Sequence, residues 1–250
     1  QELFNSAKNN LLHNRDQIRK QVTRMLKDPR AVKQSQTFIS EWLNLDHLKN
    51  LQPNQKEFPF WKPKLAEDMR NETLAFSKHL IWEEKRPLGD LLNARVTFLT
   101  PSLAKHYGLK AKAASFTKYD LSNTPRGGLL TQGSLLTMGG DEASMVTRGL
   151  FVLHDLLRGS VKDPPPGVDT TPVPSAPGLS QRKVAERRIR DQSCGACHAK
   201  FEPLAFGLEQ YDGLARYTTH DHFKNELRQD GEILIPGAAA PVKYKTSREL

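Results

Sequence analysis

The sequence predicts a mainly α-helical protein with few or no strands. Three observations carry that reading. Apolar residues recur at helical spacing through the first 85 residues, no run alternates in the manner of a half-buried strand, and Pro or Gly clusters punctuate the helical stretches. At 250 residues the chain has length for one large domain or two modest ones. No stretch approaches the roughly 20 apolar residues of a membrane span.

The first helix is expected from about Phe4 to Leu26, with Leu11, Ile18, Val22 and Met25 on its apolar side. Phe38, Ile39, Trp42, Leu43 and Leu45 form the stripe of a second. A polar connection from Leu51 to Pro63 leads to a third helix, running to about Glu84. It carries Leu65, Met69, Thr73, Phe76 and Leu80 on one face, and Pro63 suits its first turn. Arg86-Pro87-Leu88-Gly89 stops it.

Thr100-Pro101-Ser102 starts a short helix bearing Leu103, His106 and Tyr107. Turns are expected at Thr124–Gly128 and Met138–Asp141, with Leu129-Leu130 and Leu135-Leu136 as short apolar runs of open type. A helix from about Ala143 to Leu157 buries Leu150, Leu153 and Leu157. Six prolines between Asp163 and Gly178 then make a stiff, extended connection, either a domain boundary or a surface strap. Ser180 caps a basic helix with Val184, Ala185 and Ile189 inward. The expected organisation is a helical domain over 1–162, a proline-rich strap over 163–179, and a C-terminal segment over 180–250 packed on the helical part.

A net charge of +9 invites a nucleic-acid reading. The basic residues Arg15 to Arg30 fall on the solvated face of an amphipathic helix, and no nucleic-acid motif accompanies them. No nucleic-acid partner is expected.

Only two cysteines occur, in Cys194-Gly195-Ala196-Cys197-His198. Cys-x-x-Cys-His is the attachment sequence for c-type haem. Two thiols three positions apart on a helical turn add across the two vinyl groups, and the next residue, His198, meets the iron as proximal ligand. Small residues at Gly195 and Ala196 let the backbone pass close to the porphyrin edge. A thioredoxin-type pair would sit in a βαβ setting, and a zinc site would draw two more ligands from histidines alone. The expectation is one covalent haem c on Cys194 and Cys197.

No methionine follows Cys197. Candidate distal ligands are Met138, in a glycine loop, and Met145, with His220 and His222 or an open site as alternatives; His106 and His154 read as core or boundary histidines. Arg126 and Arg148 are candidate partners of the haem propionates, or turn caps. Phe206 and Tyr211 are expected on the porphyrin face.

The segment order resembles the planctomycete-type cytochrome c-like multidomain proteins. The similar pieces are Phe38–Leu43, Leu103–Gly108, Arg126–Thr131 and Thr147-Arg148-Gly149, then Cys194 to His198 and Glu202–Asp212. The resemblance implies a helical domain packed on a C-terminal haem-bearing segment, further domains in a longer polypeptide, and no particular substrate. The functional expectation is a mono-haem cytochrome domain passing single electrons to a redox partner protein or neighbouring domain, in the periplasm or outside the cell. The alternatives are a haem enzyme with a distal acid–base group such as His220 or Glu142, and a helical interaction module stapled by haem or zinc. No secretory leader is expected within this stretch, which reads as a segment of a longer protein.

Overall fold

Two asparagines divide the long N-terminal helix expected from apolar spacing. In the computed structural model, which describes residues 1–235 and 237–250, α1 (Glu2–Lys8) stops at Asn9, and Asn10 takes a left-handed φ of 56°. Asn visits that region more readily than most residues because its short side chain bonds locally. α2 (Arg15–Leu26) restarts behind Asn14, whose side chain accepts the Gln17 N–H at 2.9 Å. Its stripe is not buried: Ile18, Val22 and Met25 are 47%, 48% and 44% exposed.

α3 (Pro29–Trp42) begins well ahead of its apolar stripe, because Asp28 caps it and Pro29 takes the first helical position. Ile39 and Leu43 turn inward, whereas Phe38 lies outside, stacked on Trp42. A 3-10 turn, Leu45–Asn50, buries Leu45 and Leu48. α4 (Pro63–Lys78) follows, starting on Pro63 as expected and continuing as a π turn over His79–Glu83.

α5 (Asp90–Asn93) leads into β1 (Val96–Leu99), and α6 (Pro101–His106) follows, capped by the Thr100 hydroxyl at 3.1 Å from the Leu103 N–H. β2 (Thr117–Asp120) pairs antiparallel with β1, with Val96 opposite Asp120. Four-residue strands are too short to display an alternation that sequence patterning can detect.

The two open leucine pairs become a 3-10 turn, Leu129–Thr131, and the short α7 (Gly133–Leu136). α8 (Met145–Phe151) continues as a π turn through Leu156. Residues 162–174 of the proline-rich connection are all exposed. α9 (Gln181–Arg190) is capped by Ser180 as expected, and α10 (Gly195–His198) follows it directly. A 3-10 segment, Glu202–Leu208, and the hairpin of β3 (Gly231–Ile233) with β4 (Val242–Tyr244) complete the elements. Helix accounts for 44% of the structure and both sheets are two-stranded, so the protein is mainly α.

α4 runs through two hydrophobic cores. Phe76 and Leu80 join the first with Leu43, Leu129 and Leu153; Leu65 and Met69 join the second with Leu103 and Tyr107. Phe201 and Leu204 belong to the first core, and Leu208, Tyr211 and Leu214 to the second. The chain beyond the proline strap therefore contributes to both cores, and Ala185, Ala205 and Phe206 form a third, small cluster with Met145 of α8. Among the described residues no helix is long and apolar enough to cross a membrane.

Candidate functional site

Asp191 turns the chain from α9 into α10. Its Oδ1 accepts the N–H groups of Ser193 at 2.8 Å and Cys194 at 3.0 Å, together with the Ser193 hydroxyl. The Ser193 side chain and these backbone bonds hold the Asp191 carboxyl down to about 2. Cys194 caps α10 at its N-terminal end, and its carbonyl accepts the His198 N–H at 3.1 Å. One turn of backbone thus carries both thiols and the imidazole.

Gly195 is needed for a reason other than the one spacing suggests. A Cβ there would lie 2.3 Å from the Ile189 carbonyl oxygen, so glycine lets α10 sit on the end of α9. Its smallness is used by protein backbone.

Both thiols are free and half-buried. Cys197 packs against the first core. The His198 ring lies 5.0 Å from that of Phe201, and its Nδ1 is 3.3 Å from Glu202 Oε2. Glu202 is fully buried and its other oxygen accepts from Arg188, through Nε at 3.0 Å and through Nη2. His198 Nδ1 and Glu202 Oε2 are close enough to pair but not aligned as a hydrogen bond, and each is a buried atom with no other partner. Nε2 of His198 has no hydrogen-bond partner among the described residues.

A cavity of about 530 Å³ lies between α9 and the segment after α10. Ile189, Pro203 and Phe206 give it an apolar wall, and its rim carries Arg182, Arg190 and Lys243 paired with Glu186, Asp230 and Glu232. Six of the residues lining it, from Arg182 to Arg190 and Pro203 to Phe206, flank the cysteine motif in sequence, although Cys194, Cys197 and His198 themselves do not line it.

The residues present fit a covalently held haem. Two free thiols stand on one turn, an imidazole follows them, and the orphaned Nδ1 faces a buried carboxylate, which would leave Nε2 free to meet an iron. Among the described residues no group of three or more His, Cys, Asp or Glu side chains is placed to hold a metal ion by itself.

The other candidates fall elsewhere. Arg126 is buried, with Nη1 on the Thr131 carbonyl at 2.8 Å, Nη2 on that of Ala215, and its guanidinium 3.7 Å from the Tyr107 ring centroid. Arg148 is buried too, donating to the carbonyls of Leu136, Leu208, Tyr211 and Asp212. Both guanidiniums spend their donors on backbone, the turn-capping alternative rather than the propionate one. Tyr211 is a core residue whose hydroxyl donates to the Pro125 carbonyl at 2.8 Å. Phe206 lines the cavity beneath the Arg182 guanidinium.

Met145 is fully buried among Ala185, Ala205, Phe206 and Ile189, and Met138 lies half-buried against the first core, as does Cys197. His106 is half-buried, with Nε2 bonded to the Leu214 carbonyl at 2.6 Å, and burial lowers its pKa. His154, His220, His222 and Glu142 are exposed. The residue that sequence reading missed is Glu202. Its signal was an acid four positions after the histidine, a spacing at which two side chains can meet across one turn of chain, here between the end of α10 and the start of the 3-10 segment.

Residues 1–109 match the family model described as PSD4, protein of unknown function (DUF1592), and residues 126–221 that described as PSCyt3, protein of unknown function (DUF1588). These two domains are the ones found in planctomycete-type cytochrome c-like proteins. No curated protein and no solved structure matched the chain.

Proposed function

We propose that this chain is a mono-haem c-type cytochrome domain that transfers single electrons outside the cytoplasm. The observation that carries the reading is the turn Cys194–His198, with two free thiols, an adjacent imidazole and a buried carboxylate behind it. Haem bound there supplies a one-electron ferric–ferrous couple.

The chain's own residues do the rest. Cys194 and Cys197 would hold the haem through thioethers to its vinyl groups, and His198 would supply Nε2 to the iron. Asp191 and Gly195 set the turn that holds all three in register. Packing of Cys197 on the first core, and of the following segment on both cores, makes the ligand-bearing turn rigid, which limits reorganisation between oxidation states. The redox partner is another protein or a neighbouring domain of the same polypeptide. The location that suits haem c assembly is periplasmic or extracellular.

The test is maturation in a host that assembles haem c. The expected result is a mass gain of one haem, a pyridine haemochrome band for two thioethers, and loss of one thioether in either Cys194→Ser or Cys197→Ser. A low-spin spectrum indifferent to carbon monoxide and peroxide is expected of a carrier. Protein that gains no haem mass overturns the reading, and a high-spin iron that reacts with peroxide replaces the carrier by an enzyme.

A further inference from the structure

Arg188, Glu202 and His198 form a line across two helices and the segment that follows them. The guanidinium on α9 takes one oxygen of a fully buried carboxylate, and the other oxygen lies 3.3 Å from the imidazole Nδ1. Neither of those last two atoms has another partner. An unsatisfied buried polar group costs about 1–3 kcal/mol, and more when charged. A hydrogen bond between them, within reach at 3.3 Å, would satisfy both atoms at once.

The chemistry of that contact is directional. A carboxylate accepts only, so the proton must sit on Nδ1 and the lone pair on Nε2. Arg188 compensates the charge of a carboxylate that has no water around it. A histidine whose far nitrogen donates to a carboxylate is oriented in one tautomer and is a more basic ligand than one bonded to a neutral carbonyl or to water. A more basic ligand favours the ferric state.

We infer that Glu202 is the positioning residue of His198: it holds the Nδ1 proton, presents Nε2 as the donor to haem iron, and biases the couple towards the ferric form. The inference rests on the haem reading above.

The test uses the haem-loaded chain and its Glu202→Gln variant in a potentiometric titration. The expected result is a rise in midpoint potential, with the ferric-to-ferrous ratio at fixed potential falling about tenfold, close to 59 mV for one electron. Glu202→Asp, which keeps the charge on a shorter arm, should fall between the two. If Glu202 serves only to compensate Arg188, the Gln variant loses thermal stability while its potential stays put, and the inference is overturned. Should the Gln variant not fold, ¹⁵N-histidine NMR of the wild-type ferrous protein decides. An Nδ1 resonance displaced from neutral imidazole towards imidazolate supports the inference, and a neutral-imidazole resonance overturns it. A wild-type chain that takes up no haem overturns both readings, whereas a loaded chain with an unmoved potential overturns this one alone.

Discussion

The carbonyl oxygen of Phe201 stands where a Cβ on residue 149 would be, 2.2 Å from that ideal position. α8 and the segment after the cysteine motif therefore meet backbone to backbone at Gly149. Alanine in place of a helical glycine ordinarily adds about 1 kcal/mol of helix propensity. Here that gain is outweighed, because the obstruction is main chain and cannot rotate aside. Gly149→Ala should cost about 1–3 kcal/mol net through displacement of α8. Urea unfolding reads this directly, and a variant as stable as wild type would show that the two segments do not touch as described.

Arg148 ties the end of α7 to the loop at Leu208–Asp212. Its Nη1 bonds the Leu208 and Tyr211 carbonyls at 3.0 and 2.8 Å, and its Nη2 those of Leu136 and Asp212 at 2.9 and 2.8 Å. Burial lowers the guanidinium to about 10, which four oriented carbonyls help to tolerate. A lysine ammonium lacks the planar fork that reaches all four. Arg148→Lys should therefore lose about 3 kcal/mol, measured by chemical denaturation; an unchanged midpoint would contradict the assignment.

Glu72 gives the protein a pH-dependent stability of unusual sign. Its oxygens accept the hydroxyls of Thr97 and Tyr107, each at 2.6 Å, yet burial still raises the carboxyl to about 7. The folded state thus prefers the neutral acid more than the unfolded chain does. This contribution is complete below the ordinary carboxyl value of 4.5 and is lost as pH rises through about 7. The loss amounts to roughly 3 kcal/mol. Comparing wild type with Glu72→Gln from pH 5 to 8, the difference in unfolding free energy should change by about that amount. A pH-independent difference would rule the titration out.

The proline strap is covalently expendable if the cores are shared as described. Val168 and Val173 are exposed within it. Thermolysin should nick there first, and the two fragments should still co-elute on gel filtration, because residues from both sides fill both cores. Fragments that separate under native conditions would mean that the C-terminal segment stands alone.

Local chemistry made part of this legible in sequence. Ser180 capping α9, Pro63 opening α4 and Thr100 capping α6 are each decided within a few residues, as is the Cys-x-x-Cys-His spacing that puts two thiols and an imidazole on one turn. The continuous N-terminal helix failed on an equally local point, the left-handed backbone at Asn10, which apolar spacing does not register. The exposed stripe of α2 failed for a different reason: amphipathic spacing says that a face is apolar, not that anything covers it.

By itself, then, the sequence determined a mainly helical protein with one contiguous Cys-x-x-Cys-His motif, because helix caps and motif spacing act over one or two turns. Tertiary structure decided which charges are spent and on what. Arg126 and Arg148, expected from the sequence as propionate partners or turn caps, donate to carbonyls from residue 131 to residue 215. Gly195 yields to Ile189, and Glu202 reaches His198 with Arg188 behind it. Burial and hydrogen-bond partners are set by segments far apart in the chain, and they alone fix whether a charged group is available for chemistry or already committed to the fold.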